Sequence, residues 1–143
     1  MAYAIIDDIK KLIPEEAVIQ LTDDEETGSV NTTRVNEAIA QADAEIDSYC
    51  ARLYTIPFSP VPDLVRKFSV DMAIYHLFSR RIEEMPEIRK DRYQNAIKQL
   101  ESIAKGIMSL GEQPEPAQPS GGSVRTNKTI DDRIFTSDMM KGY

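Results

Sequence analysis

Few residues of this 143-residue chain could do chemistry, and each lacks the company that chemistry requires. His76 is the sole histidine and Cys50 the sole cysteine. A general acid or base needs an oriented partner beside an accessible pocket. His76 falls instead between Tyr75 and Leu77 in the most apolar stretch, where a histidine packed in a core or an interface is expected. Cys50 follows Tyr49 within a helical pattern and has no second cysteine for a redox pair, so it reads as a small buried thiol. Two carboxylate pairs, Asp43 with Asp47 and Glu83 with Glu87, have the four-residue spacing that places both members on one helical face. Neither pair has a histidine at metal-binding spacing, and Pro86 interrupts the second. Solvated acids or intersubunit salt bridges are therefore expected there, in place of a metal or glycosidase pair. The acidic run from Thr22 to Val30 lacks the alternating ligands, central glycine and distal glutamate of a calcium loop, and reads as an exposed loop. With no glycine-rich phosphate loop either, the sequence offers no catalytic, cofactor-binding or metal-ligating residue.

The elements that would carry these residues are helical. A short amphipathic helix is predicted from about Tyr3 to Ile13, ended by Pro14, with another turn or two over Glu15–Gln20. The clearest periodicity spans Thr33–Leu53: Val35, Ile39, Ala42, Ile46, Tyr49 and Leu53 share a face, Asn31 or Thr32 can cap the start, and Arg34, Glu37, Gln41 and Asp47 lie opposite, toward solvent or another subunit. Pro57, Pro60 and Pro62 fix a rigid elbow in which Ile56 and Phe58 seal the core edge. From Asp63 to about Glu84 the apolar residues cover more than one face, which marks the central helix, with Phe68, Met72 and Tyr75 directed at its neighbours. Beyond Pro86 a further helix runs from Glu87 to about Met108, with Tyr93, Ile97, Leu100, Ala104 and Ile107 as its stripe. The expected fold is all-α: a compact antiparallel bundle of three main helices plus a short N-terminal helix, with an extended C-terminal tail. Residues 1–110 form the helical domain in this reading. The proline-, glycine- and glutamine-rich stretch 111–122 is a flexible linker, and 123–143 is a docking peptide or a disordered tail. Ile130, Phe135, Met139, Met140 and Tyr143 are its apolar anchors, and Arg133 could meet the acidic loop of another copy. The tail is expected to pack on a neighbouring subunit or the next assembly component; the alternative is a tail that lies on its own domain.

Composition bounds the function classes. A 41% hydrophobic content can supply one core without disulfides or metal, and a net charge of -7 argues against nucleic acid as the main ligand. That charge is uneven: residues 1–30 hold eight acids and two bases, residues 85–111 three acids and five bases. The mixed charges at Arg80, Arg81, Glu83 and Glu84, and at Glu87, Arg89, Lys90, Asp91 and Arg92, suit the pinning of a helical joint or an interface; contact with phosphate is the weaker reading, and no base-reading motif is present. No apolar run is long enough to span a membrane, and no secretion signal is visible at the N-terminus, so a cytosolic protein is expected.

Several segments in order resemble one family. These are Asn31-Thr32-Thr33-Arg34-Val35-Asn36-Glu37-Ala38-Ile39, Ala44-Glu45-Ile46-Asp47-Ser48-Tyr49, the prolines around Phe58, Leu64-Val65-Arg66 with Asp71-Met72-Ala73, Arg89-Lys90-Asp91-Arg92-Tyr93 with Ala96-Ile97, and Arg133-Ile134-Phe135-Thr136. Together they are similar to the head–tail adaptor family of Mu-like tailed phages and prophages, over nearly the whole chain. The resemblance implies a non-enzymatic virion protein without cofactor, made in the host cytoplasm and placed at the head–tail junction. It implies a homo-oligomeric ring between the portal, or a neighbouring connector protein, and a tail-side protein; the residues themselves lead to the expectation of no specific nucleic-acid recognition and no membrane partner. A non-catalytic protein-binding or regulatory module is the alternative function.

Overall fold

A computed structural model describes residues 2–80 and 84–110. The tail and linker expectations for 111–143, and those for Arg81 and Glu83, lie outside the described residues. Among the described residues five helices follow in chain order: α1 (Ile6–Lys10), α2 (Glu15–Thr22), α3 (Thr32–Cys50), α4 (Asp63–Ser79) and α5 (Glu87–Ala104). The all-α expectation holds, with α3, α4 and α5 as the main bundle and two short N-terminal helices in place of one. Pro14 separates those two: its fixed backbone starts α2 in an extended conformation, and a proline at a helix start forfeits no intrahelical bond.

Helix ends follow local chemistry. Asn31 caps α3 by accepting the Arg34 backbone N–H at 3.2 Å. The helix stops at Cys50, short of the Leu53 expected from periodicity, and the chain leaves it through a closing turn in which Leu53 and Tyr54 N–H both donate to the Cys50 carbonyl. At the end of α5, Gly106 takes φ +76°, Gly106 N–H donates to Ile103 O and Ile107 N–H to Ser102 O. This is the paired closure that a left-handed glycine permits, and it ends the helix four residues before the expected Met108.

α4 is the central element. Phe68 and Met72 are fully buried in the core that α4 shares with α3 and α5, and Tyr75 stacks on Tyr93 of α5 with ring centres 3.9 Å apart. α3 turns Val35, Ile39, Ala42 and Ile46 inward, as its spacing demands. The fully buried stripe of α5 is Ala96, Leu100 and Ile103. Ile97 and Ala104 are only half-buried beside it, and Ile107 is exposed once Gly106 redirects the chain. α1, α2 and the turn between them add a layer on α3 and α4, with Ile9, Ile13, Val18 and Leu21 buried. The elbow between α3 and α4 contains cis peptide bonds before Pro57 and Pro60, and Phe58 fills the core edge with Tyr3 and Tyr54 around it. No helix among the described residues is long and apolar enough to cross a membrane.

Candidate functional site

Four polar clusters are built into the bundle, and their geometry decides between chemistry and attachment. The first gathers around Asp43, on the inner side of α3 and only 8% exposed. Its Oδ2 accepts the Tyr3 backbone N–H at 2.9 Å and its Oδ1 the Ser69 hydroxyl of α4 at 2.6 Å. One turn on, Asp47 Oδ1 accepts the Tyr3 hydroxyl, whose oxygen in turn accepts the Phe58 N–H at 3.3 Å. The expectation of solvated acids or intersubunit bridges is therefore corrected: both carboxylates are engaged inside their own chain, because Tyr3 and Ser69 arrive from distant segments with donors that no spacing along α3 reveals. Burial raises the pKa of Asp43 despite these hydrogen bonds, and burial followed by the Asp47 contact raises that of Tyr3.

The second cluster joins the three main helices. Glu45 of α3 accepts the Tyr93 hydroxyl at 3.0 Å through Oε2, while its Oε1 lies 2.7 Å from His76 Nε2. The His76 contact is at ion-pair distance but is not aligned as a hydrogen bond. His76 also meets Tyr75 and Tyr93 edge-on. It is a half-buried packing residue at a helix junction, in line with the core or interface expectation. Tyr93 is pushed up to about 12 by burial first and the Glu45 contact second, so its phenol stays a donor. Cys50 is fully buried, and burial pushes its thiol up to about 11, which suppresses the nucleophilic thiolate at neutral pH.

The third cluster corrects the reading of the acidic loop as merely exposed. Its residues do face water, but Arg34 grips Glu25 with two bonds of 2.7 and 2.6 Å and donates to Thr22 O at 2.8 Å. Arg80 donates to Leu21 O at 2.7 Å and to Asp24 at 2.9 Å. Asp23 folds the loop on itself by accepting Thr27 and Gly28 N–H groups, and the Thr27 backbone bond leads the causes that hold its carboxyl below the usual range. Arg34, placed by periodicity on the solvent side of α3, is thus a clamp, and Arg80 pins a joint as its mixed-charge setting suggests.

In the fourth cluster Asp71 of α4, with a side chain 2% exposed, lies 3.8 Å from Lys67 Nζ and 3.5 Å from Arg92 of α5. Arg89, one turn before Arg92, donates to Leu12 O at 3.2 Å. Burial leads the causes lowering its pKa, followed by the charge of Arg92, with Asp71 opposing. Tyr3, Glu45, Ser69 and the pairing of Asp71 carried no motif in the sequence; only the assembled helices bring them to their partners.

None of the four clusters opens a nucleophile with its base to a substrate: the cavity of about 330 Å³ beside Asp43 and Asp47 is not lined by Ser69, whose hydroxyl is fully buried against Asp43. Among the described residues no group of three histidine, cysteine or acidic side chains could hold a metal ion. The side chains instead fasten elements to one another and leave charged and apolar surface outside. The comparisons agree with a structural role. The family model described as "Bacteriophage Mu, Gp36" matches residues 3–128. The "Mu-like prophage FluMu protein gp36" of Haemophilus influenzae (strain ATCC 51907 / DSM 11121 / KW20 / Rd) is 31% identical over 101 residues, covering 69% of this chain and 70% of that protein. A match across the helical domain and into the segment beyond it, together with that degree of identity, shows that the chain belongs to the bacteriophage Mu Gp36 family.

Proposed function

We propose that this protein is a structural adaptor of the head–tail junction in a Mu-like phage or prophage, acting through protein contacts and without enzymatic activity. The family match over residues 3–128 carries this reading. The bundle supports it, since its buried polar groups serve as internal fastenings and its one cysteine is buried with a raised pKa. In the finer form of the proposal the chain is made in the host cytoplasm and enters the virion as a homo-oligomeric ring between the portal, or a neighbouring connector, and a tail-side protein. A heterologous contact repeated between identical copies closes into a ring when its rotation divides a full turn. The unequal charge of the N-terminal and C-terminal parts of the domain would guide that contact, so high salt should slow ring formation.

The test is deletion of the coding sequence followed by electron microscopy of the particles. Filled heads without attached tails, rescued by the intact chain, are expected, together with a ring of this protein in reconstructions of complete particles. Complete, infectious particles from the deletion strain would overturn the adaptor role, and a single copy per junction would overturn the ring.

A further inference from the structure

Asp71 is the focus of an unbalanced surface. Among the described residues its buried carboxylate lies 3.8 Å from Lys67 and 3.5 Å from Arg92, and Arg89 stands one helical turn before Arg92 on α5, so two cations share one anion and a third stands on the same helix. Lys67 and Arg92 remain 59% and 39% exposed, and this surplus positive charge is open to a ligand. Beside it stand exposed large hydrophobics: Ile88, 56% exposed and next to Arg89 in the chain, and Leu12, 40% exposed and held by Arg89 through its carbonyl. The surface therefore combines two or three cations with two apolar side chains. It suits a short segment carrying adjacent carboxylates and flanking aliphatic or aromatic residues.

The chain contains such a segment in Ile130-Asp131-Asp132-Arg133-Ile134-Phe135. We propose that in the unassembled subunit this segment docks on its own domain at the Lys67–Arg89–Arg92 surface, with Asp131 and Asp132 toward the cations and the apolar residues toward Leu12 and Ile88. The proposal rests on the reading of 123–143 as a docking peptide, and chain length supports the same-chain choice. Leu110, the last described residue, is held at the far end of α5 by the Tyr54 hydroxyl, which accepts its N–H at 3.2 Å. From Ala104 back to Ile88 along α5 is about 24 Å at the helical rise. The 19 residues from 111 to 129 have a root-mean-square coil span of about 24 Å and a fully extended reach of roughly 65 Å. A tether whose mean span matches the distance to be bridged gives a local concentration near the millimolar range, above that of any second copy in dilute solution. Assembly would then begin by displacing a segment that already covers this surface, leaving the tail free for a neighbouring component.

The experiment is hydrogen exchange of the intact chain resolved over residues 130–135. The docked segment is expected to exchange about tenfold more slowly than in a free peptide of residues 123–143, with no change on hundredfold dilution of the protein. Asp131→Asn with Asp132→Asn should abolish that protection without moving the melting temperature, and Ile88→Ala should reduce it. Exchange at the free-peptide rate in the intact chain would overturn the proposal. So would full protection in the Asn double variant, or protection lost on dilution, which would assign the segment to a second copy. These readings come from the free subunit, whereas the adaptor role is read from particles; either can fail alone.

Discussion

Asp43 and Asp71 are both carboxylates withdrawn from water in one small bundle, and their surroundings treat them in opposite ways. Asp43 receives neutral donors, a backbone N–H and a hydroxyl, at short distances. Asp71 receives cations at 3.5 and 3.8 Å, with side chains that reach it from partly exposed positions. Short neutral hydrogen bonds fix geometry and are insensitive to salt, while longer ionic contacts hold loosely and respond to ionic strength. The Asp43 side of the molecule is thus a permanent joint between the N-terminal segment, α3 and α4. The Asp71 side is adjustable and has charge to spare for another partner.

The core between these two regions sets the scale. Phe68→Ala removes a fully buried ring beside Ser69 and should cost about 3–5 kcal/mol in urea unfolding. An unchanged unfolding free energy would break the account of α4 as the central helix. Next in size, Ser69→Ala takes from Asp43 a 2.6 Å donor and should cost about 1.5–3 kcal/mol, equally in dilute buffer and in about 0.5 M salt. Arg92→Ala sharpens the contrast: its contact is longer and partly exposed, so a loss of about 1–2 kcal/mol is expected, shrinking in the same salt. Equal salt dependence of the two variants would erase the distinction between the joints.

A smaller effect appears in pH. Burial raises the pKa of Asp43, so the native chain holds that proton to higher pH than the unfolded chain does. Its contribution favours folding below the ordinary carboxylate pKa of about 4 and is lost as pH rises from there through the raised native value. Asp43→Asn should therefore remove a downward component from the plot of stability against pH above about 4, measured by denaturant midpoints across the acidic range. Parallel curves for the two proteins would show that Asp43 titrates alike folded and unfolded. Least of all, Asp24→Ala should cost about 0.5–1 kcal/mol. That is slightly above the effect of less than about 0.5 kcal/mol that suits a solvated loop acid, because Arg34 and Arg80 both reach Asp24.

How much of this was legible in the sequence depended on the range of the signal. The inward face of α3, the burial of Phe68 and Met72, the Asn31 cap and the proline elbow are written within a few residues, and local patterning revealed them. The closure at Gly106 is equally local, but the apolar repeat continues through Ile107 and masks it. The stripe of α5 was misplaced by one position for a related reason. Tyr93, Ile97 and Ala104 line its border, while Ala96 and Ile103 lie at its centre, and a helix packed between two neighbours buries a wide arc that a four-three count resolves poorly. The mixed charges around Arg80 and Arg92 mark a helical joint, but the joint at Asp43, the clamp at Arg34 and the particular acids that Arg80 and Arg92 meet were illegible. Their partners stand on other elements, and the charged residue types involved look the same whether they face water or one another.

Tyr3 gives the architecture a direction in time. Its bonds to Asp43, Asp47 and Phe58 close sequence separations of 40, 44 and 55 residues. During synthesis at roughly 5–20 residues per second, Tyr3 must therefore wait several seconds before Phe58 has even been polymerised. Loop closure over such separations is also unfavourable until other contacts have drawn the ends together. The α3–α4 hairpin is therefore expected to assemble first, with the N-terminal segment folding back as a late event that locks a structure already made.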